Sequence, residues 1–112
     1  MDKENNQQET ADVNVAKLSD EIQYQDSGIV SKQLIKKSNG NITLFAFDKG
    51  ESLTEHTSSF DAVAQVIEGE MKFTIGGKPY QVKGSEFINL PANIPHSLSA
   101  KEKTKMLLIM IK

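Results

Sequence analysis

Residues 69–90 read Gly69-Glu70-Met71-Lys72-Phe73-Thr74-Ile75-Gly76-Gly77-Lys78-Pro79-Tyr80-Gln81-Val82-Lys83-Gly84-Ser85-Glu86-Phe87-Ile88-Asn89-Leu90, and this stretch decides the fold class. Met71, Phe73 and Ile75 alternate with Lys72 and Thr74. A period of two puts apolar side chains on one face of a half-buried strand. Gly76-Gly77 turns the chain into Tyr80–Val82, and Gly84 turns it again into Phe87–Leu90. Paired glycines supply the positive φ that tight hairpins demand.

The same grammar extends outward. Upstream, Ile29–Ile35 is closed by Ser38-Asn39-Gly40-Asn41, and Ile42–Phe47 by Asp48-Lys49-Gly50. Ala62–Ile67 is apolar except for Gln65 and stops at Glu68-Gly69. Downstream, Pro91–Pro95 reads as a loop, and Leu98 and Met106–Ile111 supply the last strands. Short strands separated by frequent turn signals predict an all-β sandwich or barrel. No stretch holds a helical period long enough for a βαβ unit.

The N-terminal part is different. Residues 1–12 are polar, rich in Asn, Gln and Glu, and are expected to form a disordered tail. Residues 13–28 form a lead-in with sparse apolar positions (Val13, Val15, Leu18, Ile22, Tyr24) and a short helical turn predicted at Ser19-Asp20-Glu21. The barrel is expected over 29–112. Residues 1–10 have no apolar h-region, and Met106–Ile111 is too short to span a bilayer, so neither a signal peptide nor a membrane helix is expected. A cytoplasmic location is the default.

Composition narrows the function. The net charge of −2 offers no electrostatic footprint for nucleic acid or an anionic membrane. Cysteine is absent, which removes disulfides and thiolate chemistry. Arginine is absent too, so the 13 basic residues are all lysines. Bidentate forks onto carboxylate or phosphate are therefore missing, which weighs against doubly anionic substrates.

Two stretches resemble the motifs of the cupin family. Gly50-Glu51-Ser52-Leu53-Thr54-Glu55-His56-Thr57-Ser58-Ser59-Phe60-Asp61-Ala62, followed by Gly69, resembles the first motif, in which a glycine is followed by His-x-His, a glutamate and a second glycine. Gly50, His56 and Gly69 match; Ser58 replaces the second histidine and Ala62 the glutamate. Gly84 through Pro91-Ala92-Asn93-Ile94-Pro95-His96 resembles the second motif. Gly84, Pro91 and His96 match, Asn93 stands for a glycine, and Ala100 for an asparagine. Asn tolerates the left-handed region that glycine would occupy. The gap from Gly84 to Pro91 is one residue longer than in the motif, and a bulge is expected near Ser85-Glu86.

The resemblance implies a double-stranded β-helix, the jelly-roll barrel, with an inward site. It does not imply one activity, because the fold hosts many. In the family's full site three histidines and a glutamate hold a metal. Here His56 and His96 remain, Ser58 faces the same side by strand parity, and Glu55, Asp61 and Gln65 have the wrong parity. A catalytic metal usually takes three protein ligands, so His56 and His96 alone are expected to bind a divalent ion weakly. A neutral imidazole pair can also exchange protons without a metal.

The leading expectation is a small-molecule-binding protein anchored by His56, Ser58 and His96, which are the ligand-binding candidates; His56 and His96 are also the catalytic and metal candidates. The alternative is a metal-dependent enzyme, dioxygenase-like or isomerase-like, with a sparse two-histidine site. A structural module without a ligand is the third possibility, and the retained histidine pair argues against it. Phe45, Phe47, Phe60, Phe73 and Phe87 are expected in the core or cavity wall, and Lys101–Lys105 in a charged hairpin end. Met106–Ile111 is apolar on both faces, so its outer face is expected to meet either the lead-in segment or a second subunit. A homodimer is expected.

Overall fold

The structure, a computed structural model, describes residues 13–112. The expected polar tail lies outside the described residues. A 3-10 turn at Leu18–Asp20 precedes nine strands: β1 Ile29–Lys37, β2 Gly40–Phe47, β3 Ser52–His56, β4 Asp61–Glu68, β5 Glu70–Ile75, β6 Lys78–Lys83, β7 Phe87–Leu90, β8 His96–Ala100 and β9 Thr104–Ile111. They form two antiparallel sheets, one in the order β1-β2-β9-β4-β7 and the other β3-β8-β5-β6. This is the expected jelly-roll arrangement of an all-β chain. No helix among the described residues is long and apolar enough to cross a membrane.

The inner faces of the two sheets make the core. Phe47, Val66, Met71, Phe73, Leu98 and Met106 pack together with almost no exposure. The alternation read in β5 holds, with Met71 and Phe73 buried and Lys72 exposed between them. In β7 the parity runs the other way for one expected core residue. Ile88 and Leu90 take the inward positions, so Phe87 faces out and is 67% exposed. The aromatic side chain alone does not reveal this, because an exposed and a buried phenylalanine differ only in strand parity.

β2 and β9 are apolar on both faces, and around Leu44, Ala46 and Leu107 the outer face is covered as well as the inner one. Phe45 pairs with Met106 and Leu44 with Leu107 in the antiparallel register. Phe45, Phe47 and Met106 belong to the inner core, while Leu44, Ala46 and Leu107 pack on the outside against Leu18, Ile22 and Tyr24. The lead-in thus forms a strap over the larger sheet. Ile22 is fully enclosed there, which contributes about 1.5–3 kcal/mol.

The strap is also latched by polar groups. Lys105 is 6% exposed and belongs to β9, rather than to the charged hairpin end expected over Lys101–Lys105. Its Nζ donates to the Ser19 carbonyl and lies 4.9 Å over the Tyr24 ring. A carbonyl dipole and an aromatic face offset part of the desolvation cost of a buried ammonium. The Tyr24 hydroxyl in turn donates to Glu68 at 2.7 Å. Burial first, and then this bond to a carboxylate, push the Tyr24 phenol above its ordinary value.

Gly69, between β4 and β5, sits at φ +93°, and a Cβ there would run into the Lys103 carbonyl and the Thr104 side chain. Its role as a turn residue is therefore also one of close approach. The expected irregularity near Ser85-Glu86 takes the form of a turn with Ser85 at φ 76°. The Ser85 N–H donates to Val66 and the Val66 N–H to Glu86, so the extra residue is absorbed without unpaired backbone.

Candidate functional site

One strand was not legible as a strand. Ser52–His56 has a single apolar residue, Leu53, and lies at the edge of its sheet. It nevertheless carries His56. Its pairing with β8 runs Ser52 with Ser99 and Leu53 with Leu98, then jumps to His56 with His96. One extra residue has been inserted between Leu53 and His56, which is a β-bulge. Without it, Glu55 would stand opposite His96 and the carboxylate would face the core.

β8 alternates strictly, with His96, Leu98 and Ala100 buried and Ser97 and Ser99 partly exposed. The loop before it is held stiffly. Asn93 takes the left-handed conformation at φ 65°, and its N–H donates to the Ser58 carbonyl at 2.7 Å. The Ala92 N–H donates to the Asp61 carboxylate at 2.9 Å. The Gly76 N–H donates to the Pro95 carbonyl at 2.8 Å. These bonds deliver His96 from both flanks.

The two imidazoles meet with centroids 4.3 Å apart and planes inclined at 65°, an edge-to-face contact. His56 Nδ1 lies 2.8 Å from the Thr54 carbonyl, and His96 Nδ1 lies 3.2 Å from the Ile94 carbonyl. A carbonyl oxygen only accepts, so Nδ1 carries the proton in each ring, and each neutral ring keeps its Nε2 lone pair. His96 is buried and His56 is exposed, which places the pair between the interior and solvent.

Both rings line a partly open cavity of about 120 Å³ between the sheets. Phe45, Phe60, Met106, Leu108 and Met110 form much of its wall, and among the described residues no charged side chain lines it. Ser58 lines it too, but its oxygen already accepts from the Phe60 N–H at 3.1 Å. Ala62 also reaches the cavity, and Met110 stands directly opposite it on β9. Thus an alanine flanked by a thioether occupies the place of the family's glutamate. Ala100 is a core residue whose backbone pairs with Gly50 and Glu51, pinning the start of β3.

The other carboxylates stand elsewhere. Glu55 lines a shallow, open groove on the outside of the smaller sheet, with Ser52, Thr54, Ser97 and Ser99. Asp61 borders an outer recess with Val63 and Ile109. No group of three or more His, Cys, Asp or Glu side chains suited to a metal exists among the described residues. Two imidazoles, a turn-bound serine and an alanine therefore do not fit the donor set of a tightly held divalent ion. The methionine wall from β9 was not foreseen as part of the site. Its signal was the two-faced apolar run, which identifies a buried strand but not which residues meet the histidines.

A family model described as "Cupin domain" matches residues 43–112. No curated protein matches the chain. Among solved structures, a conserved protein of unknown function from Streptococcus pyogenes is 33% identical, with a TM-score of 0.85 over 88% of this chain and 87% of that one. A cupin 2 conserved barrel domain protein from Leptotrichia buccalis is 45% identical, with a TM-score of 0.82 over 84% of this chain and 46% of that one, so the match spans about half of that protein. A cupin superfamily protein from Desulfitobacterium hafniense is 26% identical, with a TM-score of 0.78 over 80% of this chain and 83% of that one. With its motif remnants, its two facing sheets and a family match over more than half its length, the chain belongs to the cupin family.

Proposed function

We propose that this protein is a small-molecule-binding cupin whose cavity takes a modest neutral ligand, with His56, Ser58 and His96 as its polar anchors. The observation that carries this reading is a partly open, mainly apolar cavity of about 120 Å³ with an imidazole pair as its principal polar group. Convergent polar groups in an otherwise apolar pocket are the usual make-up of a ligand site. The missing arginines and the uncharged lining support a neutral ligand over an anion.

The test is a screen of fragment-sized neutral and charged compounds against untagged protein, read by NMR at the two imidazoles and the Met106 and Met110 methyl groups. Neutral compounds are expected to shift all four together. A screen in which no compound moves them would sink the reading.

A metal-dependent enzyme is the second reading. In its favour, each Nδ1 is held by a backbone carbonyl, the arrangement that orients histidine ligands. The donor count weighs against it, and any divalent ion is expected to bind weakly. Metal analysis of untagged protein separates the two: a full equivalent of a transition metal would favour the enzyme.

We also infer a homodimer. The strap covers one end of the larger sheet's outer face. Ile42, Val63 and Ile109 at the other end are half-buried, and Ile35 and Ile111 are 48% and 62% exposed. A continuous apolar strip of this kind suits a second subunit.

A further inference from the structure

We propose that the ligand class of this cavity is a neutral, single-ring hydroxyaromatic compound, a phenol in the broad sense, whose hydroxyl donates to the imidazole pair. The proposal rests on the small-molecule reading above and deepens it. Three independent features converge on this class.

The first is size. The cavity holds about 120 Å³. A protein cavity of about 150 Å³ lined by aliphatic and aromatic side chains takes up benzene. Against that benchmark a single ring is the upper limit, and a fused ring system is too large.

The second is the wall. Phe45 and Phe60 present aromatic carbon, and Met106 and Met110 present polarisable thioethers. Ring–ring and sulfur–ring contacts each add to simple burial. An aliphatic ring of equal volume forgoes both.

The third is the polarity of the head group. Both Nδ1 atoms face backbone carbonyls, so a neutral ring has only Nε2 to offer, as an acceptor. A ligand that pairs with it must donate. A hydroxyl does so, while a ketone or a carboxylate offers only acceptors. A carboxylate also needs a cation or several donors, and no lysine among the described residues lines the cavity. Ser58 completes the fit. Its oxygen accepts from the Phe60 N–H, which leaves its own O–H free to donate to the ligand oxygen.

The experiment is calorimetric and NMR titration of the untagged full chain with four probes: phenol, toluene, cyclohexanol and benzoate. Phenol is expected to bind about tenfold tighter than toluene, the gain of one well-placed hydrogen bond, and tighter than cyclohexanol or benzoate. His56→Leu, at an exposed edge position, should reduce the advantage of phenol over toluene several-fold while leaving toluene binding in place. An advantage of phenol that is unchanged in His56→Leu overturns the donation to the imidazole pair. Toluene or cyclohexanol binding as tightly as phenol, or benzoate binding more tightly, overturns the hydroxyaromatic class and leaves the small-molecule reading standing. Binding of none of the four overturns both.

Discussion

At the scale of single residues, His56 shows how little separates a site from its absence. Its ring meets His96 because one extra residue sits between Leu53 and His56. The positions matching the family's other ligands surround the pair, since Ser58 and Ala62 line the same cavity. Ser58→His combined with Ala62→Glu is therefore expected to raise affinity for Zn²⁺, Ni²⁺ and Mn²⁺ by orders of magnitude, as measured by competition with a chromophoric chelator. A double variant that folds and binds no better than the parent shows that these positions do not share a centre. Glycine offers a second residue-scale comparison. Gly50 and Gly69 both have positive φ, but nothing lies near a Cβ at Gly50, whereas one at Gly69 meets the backbone of Lys103 and the Thr104 side chain. Gly50→Ala should cost about 1–2 kcal/mol and Gly69→Ala about 3–5 kcal/mol in urea unfolding. Equal costs would mean that the turn conformation alone explains both glycines.

At the scale of elements, the strap over β2 and β9 carries two predictions. Ile22→Ala removes the apolar plug over Leu44 and Ala46 and should cost about 2–5 kcal/mol in urea unfolding. A cost near zero would mean that the strap contributes no packing. The polar latch titrates at the alkaline end. Burial and the Glu68 carboxylate raise the Tyr24 phenol above its ordinary value of 10.0. A raised value means that the native state favours the protonated phenol. The resulting stability is full below pH 10.0 and is lost as pH rises through the native-state value. Thermal unfolding is thus expected to fall more steeply above that pH in the parent than in Tyr24→Phe, and parallel curves would exclude the latch.

The elements also differ in how legible they were. β5 could be read directly, because alternation and flanking turns are local properties, whereas β7 was readable as a strand but not for the face that Phe87 takes. β3 could not, because Ser52–His56 is an exposed edge with one apolar side chain, and an edge strand gains its identity from its partner. The strap was readable only as an alternative to a subunit interface, since Leu107 signals that something covers it without saying what does. The histidines could be placed at one site from the motif spacing, but the cavity wall from β9 could not.

At the scale of the whole molecule, the uncovered strip from Ile35 to Ile111 is the feature to test. A stable interface buries about 800 Å² on each partner. The protein is expected to be a dimer by light scattering at tens of micromolar (roughly the range in which a standard interface associates), and Ile109→Lys with Ile111→Lys should yield a folded monomer. A monomeric parent at that concentration counts against the dimer. The all-β class, the turns, and the lack of arginine and cysteine that narrows the ligand chemistry are legible in the amino-acid sequence. Each of these follows from side-chain type and from a period of two along the chain. That His56 rather than Glu55 faces His96, that Met110 stands opposite Ala62, and that the lead-in lies over β2 and β9 emerges only in the folded chain. Each of those depends on a bulge, a cross-strand register or the docking of a remote segment. Such features are set by the free energy of packing distant parts of the chain together, which no local pattern encodes.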